Sequence, residues 1–157
     1  MEGNFFDAME DIDAEWFRFF NSRMGWFTSM TQTPRFTKHD FDCTDILGRD
    51  VKVELKSRNH DIGKYSTLFI EVPKFEHLRS MATDGTKALY INFLEDERHV
   101  MVFDIEGMNP KMTSVSIYNP GFQQRQQVDR FELDIKEGYY YTHDAATDKF
   151  ILKTWDD

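Results

Sequence analysis

Residues 39–58 read HDFDCTDILGRDVKVELKSR. Two runs of alternating character flank Leu47, Gly48 and Arg49, a pattern that predicts two strands joined by a tight turn. In residues 51–56, Val51, Val53 and Leu55 alternate with Lys52, Glu54 and Lys56. That is the period of a strand with one face on a core and the other on a cleft or solvent. With the turn centred near Gly48, opposed residues sum to about ninety-six or ninety-seven. This register sets Asp42 across from Glu54 or its neighbour, with Lys56 on the same ribbon. Asp45 would fall nearer Val51 and Lys52, which makes it the spare acid.

The residue types point to a chemistry. Carboxylate oxygens suit a hard cation, Mg²⁺ or Mn²⁺, held by one or two acids with water completing the shell. Such a cation offsets phosphate charge and acidifies a bound water. A lysine beside that water helps deprotonate it or neutralises the oxygens of the transition state. An acid-x-Lys tripeptide alone is weak, since Asp50-Val51-Lys52 and Asp134-Ile135-Lys136 also fit. Only Glu54-Leu55-Lys56 has an upstream acid at hairpin distance. The competing reading is an ordinary strand face of mixed charge.

Downstream, Ser57 to Lys64 is a polar loop, and Thr67 to Val72 a third, largely buried strand. Pro73 can occupy the first turn of a helix carrying Phe75, Leu78 and Met81, ending near Asp84-Gly85. Lys87 to Leu94 is a fourth strand, Glu95 to Arg98 a charged turn, and Val100 to Ile105 a fifth strand. Upstream, Asn4 would cap a helix running to about Arg23. Its core stripe would be Phe5, Met9, Ile12, Trp16, Phe19, Phe20 and Met24. Trp26 to Phe36 reads as a loop.

Helix, three strands with an acid and Glu-x-Lys on the first two, helix, strand: this order resembles the PD-(D/E)XK nuclease superfamily, the restriction-endonuclease-like fold. The resemblance covers roughly residues 5–105. It implies an α/β (α+β) domain whose central mixed sheet is flanked by helices. It implies that Asp42 and Glu54 are metal ligands, joined by the backbone carbonyl of Leu55, and that Lys56 is the catalytic lysine. Lys74 is similar to a position that contacts phosphate. Glu15 is similar to an acid that some members place near the metal. Hydrolysis would leave a 5′-phosphate. The chain departs from the pattern in having His39-Asp40-Phe41, without proline, before the acid.

The remaining sequence sets bounds. A chain of 157 residues suits a single domain, here a core over 5–105 and a β-rich extension over 106–157. Within the extension, Met112 to Tyr118, Phe131 to Ile135, Gly138 to Thr142 and Lys149 to Trp155 read as strands, and Phe122 to Val128 as a polar segment. That extension would enlarge the sheet, pair a homodimer or recognise substrate. One cysteine, Cys43, fits a reducing cytoplasm and reads as core rather than a catalytic thiol. No apolar run approaches bilayer length, so no membrane partner is expected. The five histidines lack zinc-ligand spacing, and no phosphate-cradling glycine loop is present.

The net charge of −9 disfavours unspecific nucleic-acid binding. Its distribution is uneven: residues 1–33 carry −4, 34–80 carry +1 and 81–157 carry −6. The least acidic third holds the candidate site, where Arg35, Lys38, Lys52, Lys56, Arg58, Lys64, Lys74 and Arg79 would line a cleft. Arg58, Lys64 and Lys74 are the substrate-binding candidates. The sequence therefore points to a Mg²⁺-dependent nuclease acting on DNA in preference to RNA. The first alternative is a catalytically inactive interaction protein of the same fold, of phage or mobile-element type, binding a protein partner. The second is a nucleic-acid binder without cleavage.

Overall fold

The computed structural model describes residues 5–94 and 98–155. The expected cap Asn4, the side chains of residues 5–10 and the turn at 95–97 lie outside that description. Helix α1 (Phe5–Met24) leads to strand β1 (Phe27–Gln32), β2 (Phe41–Asp45), β3 (Asp50–Arg58) and β4 (Thr67–Glu71). Helix α2 (Val72–Met81), β5 (Lys87–Leu94) and β6 (His99–Asp104) follow. The remainder is β7 (Lys111–Asn119), β8 (Gln124–Asp134), a 3₁₀ turn at Ile135–Glu137, β9 (Tyr139–Asp144) and β10 (Lys149–Lys153). The molecule is mixed α/β and rich in sheet.

Seven strands form one sheet in the order β1-β2-β3-β5-β6-β9-β10, and β4-β8-β7 form a second. β3 and β5 run parallel, so the chain between them must cross over, and it does so through β4 and α2. Every other pairing is antiparallel. The third predicted strand thus exists but leaves the main sheet to pair with β8. Residues 106–157 take part in both sheets: β9 joins β6, and β8 completes the sheet of β4.

Two apolar clusters lie on the two faces of the large sheet. On one face α1 buries Ala14, Phe17 and Phe20 against Phe41, Val53, Leu55, Ile91, Phe93 and Phe150. Phe17 anchors this stripe, whereas Ile12 is exposed. α1 stops at Gly25, whose positive φ of 66° lets its N–H return to Asn21 O at 2.7 Å. The Asn21 amide then clamps both backbone groups of Phe27, at 2.9 and 3.0 Å, which starts β1 directly after the helix. Of the stretch from Trp26 to Phe36 expected as a loop, Phe27–Gln32 is therefore a strand.

On the other face α2 buries Phe75 and Leu78 against Leu68, Ile70, Tyr90, Phe103, Phe131 and Leu133. Pro73 sits in the first turn of α2, where its missing N–H is harmless. The alternation of β3 divides it between these layers. Val51, Val53 and Leu55 join the α1 cluster. Lys52, Glu54, Lys56 and Arg58 therefore face the α2 side.

Candidate functional site

The turn between β2 and β3 closes the hairpin, and Asp45 builds the turn. Its carboxylate accepts from Leu47 N and Arg49 N at 2.9 Å each and from Arg49 Nε at 2.8 Å. The strands then close as Phe41↔Val53, Asp42↔Lys52 and Cys43↔Val51. Asp42 thus lies opposite Lys52, not Glu54. Its Oδ1 is 2.9 Å from Lys52 Nζ and 2.7 Å from His39 Nε2. Burial pushes the Asp42 carboxyl up, but Lys52 and His39 outweigh it and hold the group below its ordinary range. Asp45, the spare, points to the α1 side with Phe41 and Cys43, away from Glu54. Its odd position in β2 dictates that face.

Continued one step beyond β2, the register sets Asp40 opposite Glu54. Asp40 N donates to Val53 O at 2.8 Å, and Leu55 N donates to Asp40 Oδ2 at 2.7 Å. A carboxylate thus takes the N–H that a longer β2 would have bonded through its backbone. The Asp40 and Glu54 carboxyl groups are thus neighbours on one face and feel each other's charge. Glu54 is only 4% exposed. Burial, then the charge of Asp40, pushes its pKa up to about 8. Burial likewise raises Asp40, against the opposing pull of the Leu55 N–H and Lys74.

Lys74, on the first turns of α2, is the nearest cation. Its Nζ lies 3.2 Å from Glu54 Oε1 and 3.4 Å from Glu71 Oε2. Burial works against its charge, but Glu54 and Glu71 prevail and the ammonium is held more firmly than an ordinary lysine. Expected as a phosphate contact, Lys74 is here the counter-charge of the acids. Lys56 is half-buried, two residues beyond Glu54 on the same face, and forms no ion pair among the described residues. Tyr90, on β5 opposite Glu54, is fully buried, and burial raises its hydroxyl to about 12.

The other candidates separate from this cluster. Glu15 is exposed on α1, across the sheet from Glu54. Lys64 is exposed in the loop after β3, its Nζ 5.6 Å from the Tyr65 ring centroid. Arg58 stays on the Glu54 face but donates to Asn92 Oδ1, Phe69 O and Tyr90 OH. The Cys43 thiol is buried, which raises it to about 12 and leaves no reactive thiolate.

Two residues that sequence reasoning passed over complete the cluster: Asp40 and Glu71. Asp40 carried a signal, since HDFD offers acids at both even positions. Glu71 carried none, because its approach to Lys74 depends on β4 leading straight into α2.

Asp40 and Glu54 are the carboxylates that could hold a cation here. Burial raises both carboxyls, the charge of Asp40 raises Glu54 further, and the one nearby ammonium, Lys74, opposes the rise in both. Among the described residues no three or more His, Cys, Asp and Glu side chains converge as a metal cage. An ion here would rest on two carboxylates and water, which is the habit of Mg²⁺. Among the described residues, no helix is long and apolar enough to cross a membrane. No protein-family model matches this chain, and neither does any curated protein.

Proposed function

We propose that the chain is a Mg²⁺-dependent nuclease of the PD-(D/E)XK type, hydrolysing phosphodiester bonds of DNA. One observation carries this reading: the Asp40–Glu54 carboxylate pair, on the strand face that also presents Lys56. Asp40 takes the ligand role first assigned to Asp42, because the register favours it. Mg²⁺, or Mn²⁺ in its place, would supply an acidified water and offset charge on the attacked phosphate. Asp40 and Glu54 would hold the ion, and the Leu55 backbone between Glu54 and Lys56 keeps both side chains on a rigid strand. Lys56 Nζ would stand beside the attacked phosphorus and neutralise its developing oxygen charge. Lys74, free to swing from Glu54 once a stronger cation is present, would turn to a substrate phosphate. The product would carry a 5′-phosphate.

The test is cleavage of labelled DNA with Mg²⁺ by the parent and by Asp40→Ala, Glu54→Ala and Lys56→Ala. All three variants should lose cleavage while keeping the parent's circular dichroism. Retained activity in all three ends this reading.

The Glu54–Lys74 contact also supports a second reading. An ammonium fixed on the acids would substitute for the metal, leaving a nuclease-fold interaction protein. Absence of Mg²⁺ binding by calorimetry, together with capture of a stoichiometric protein partner, would favour it.

A further inference from the structure

Beyond Lys56, β3 ends at Arg58, and the face that carries Glu54 continues into a cavity. Its volume is about 450 Å³, and Arg58, His60, Tyr65, Phe69, Arg130 and Glu132 are among its lining residues. The guanidinium carbons of Arg58 and Arg130 lie 4.5 and 4.2 Å from the centroid of the same ring, Phe69. Two positive charges thus share one aromatic side chain in a protein of net charge −9.

These charges are poorly matched. Among the described residues, Arg58 donates to three neutral oxygens: Asn92 Oδ1 at 2.8 Å, Phe69 O at 2.5 Å and Tyr90 OH at 2.9 Å. Among the described residues Arg130 has one carboxylate within reach, Glu132 at 4.0 Å, and Thr113 also donates to that carboxylate at 3.4 Å. The Nε of Arg130 is buried with no hydrogen-bond partner among the described residues, and so is the Nδ2 of Asn92. A buried donor without an acceptor is costly and calls for a partner. Guanidinium groups in this state favour phosphate oxygens, which they engage in forked pairs.

We propose that this cavity binds the phosphate of a nucleotide, with Arg58 and Arg130 holding the anion and Tyr65 offering its ring to the base. The cavity is too large for a bare phosphate and lies within the usual size range of small-ligand sites. The His60 ring meets Tyr65 edge-on at 5.0 Å and Lys64 Nζ lies 5.6 Å from its centroid, yet Tyr65 is 53% exposed and keeps surface for a base to stack on. The proposal rests on the nuclease reading for its ligand class. Glu54 and Arg58 are separated by about 13 Å of extended chain at ~3.3 Å per residue, a span of a few nucleotides. A strand laid along β3 would reach both the carboxylate pair and this cavity.

Calorimetry on the full chain in metal-free buffer tests the proposal with adenosine 5′-monophosphate, inorganic phosphate and adenosine. Adenosine monophosphate should bind most tightly, phosphate more weakly, and adenosine not measurably at millimolar concentration. Arg130→Gln should weaken the monophosphate at least tenfold. Tyr65→Ala, an exposed change that leaves the core alone, should weaken the monophosphate and spare inorganic phosphate. Adenosine binding as tightly as its monophosphate overturns the proposal. So does an Arg130→Gln variant of unchanged affinity or, should that variant not fold, a Tyr65→Ala variant of unchanged affinity. The nuclease reading fails separately. Binding that depends on Arg130 in a protein that never cleaves DNA keeps the cavity and removes the enzyme. Metal-dependent cleavage without monophosphate binding does the reverse.

Discussion

Asp40 and Asp42 are two residues apart, one just before β2 and one within it, and face the same side of the sheet, yet their surroundings are opposite. Asp42 meets the Lys52 ammonium and the His39 ring and is held ionised. Asp40 meets a second carboxylate, and burial drives both acids toward the proton. The first is a satisfied ion pair. The second is a pair of acids that shares a single ammonium, Lys74. The contrast shows that a carboxylate's role follows from what the register sets opposite it rather than from its own type. Pairs of like charge forced together are where function concentrates.

The largest expected effect breaks this comparison directly. Asp40→Asn should reduce Mg²⁺-dependent DNA cleavage by about 10³-fold, because it weakens the hold on the cation that would offset charge at the attacked phosphate. Asp42→Asn should leave the rate within a few-fold of the parent. Single-turnover assays on both variants decide it, and the reverse order would return the ligand role to Asp42. Lysines make the same comparison at smaller scale. Lys56→Met should slow cleavage about 10²-fold or more, whereas Lys52→Met, which only frees Asp42, should change it little.

A third expectation concerns pH and stability. The Glu54 pKa is raised in the fold from its ordinary 4.5 to about 8. A raised acid binds its proton more tightly folded than unfolded. Its contribution is therefore fully present below the ordinary value and lost as pH climbs through about 8. Thermal melts in metal-free buffer should show stability falling between pH 5 and pH 9, by an amount on the order of 3 kcal/mol. Glu54→Gln should flatten that slope, and Asp42→Asn should not. Added Mg²⁺ should raise the melting temperature at pH 9 and do little at pH 5, because the ion competes with protons for the same oxygens. A slope identical in parent and Glu54→Gln would remove the coupled pair from the explanation.

Much of this layout was legible in the sequence where burial is one-sided. Strict alternation in β3 and the apolar run of β5 announce themselves, and Pro73 marks the start of α2. Where both faces meet solvent the pattern fades. β1 is mostly exposed and rich in threonine. Much of β8 belongs to a two-stranded ribbon that β4 does not cover, so its glutamines look like a loop. Glu54 and Lys56 were visible because spacing along one strand is local. Asp40 was displaced by Asp42 because the partner of Glu54 depends on turn length. Lys74 was visible as a charge but not as a contact, since its approach to Glu54 is made by the crossover.

The smallest effect tests the turn itself. Asp45 holds Leu47 N, Arg49 N and Arg49 Nε with one carboxylate that is 9% exposed. Asp45→Ala leaves those N–H groups to water and removes a charged acceptor, a loss of about 1–3 kcal/mol for such bonds. The pairing of β2 with β3 is also fixed by the apolar contacts of Phe41, Cys43, Val51 and Val53 on the α1 side. A slip of one residue would turn those side chains out of the core, so the core resists a shift even without the turn. The expected outcome is a lower melting temperature with cleavage close to the parent's. If cleavage instead falls as far as in Asp40→Asn while the protein stays folded, the turn and not the core sets the register. The meeting of Asp40 with Glu54 would then hang on a single side chain at the far end of the hairpin.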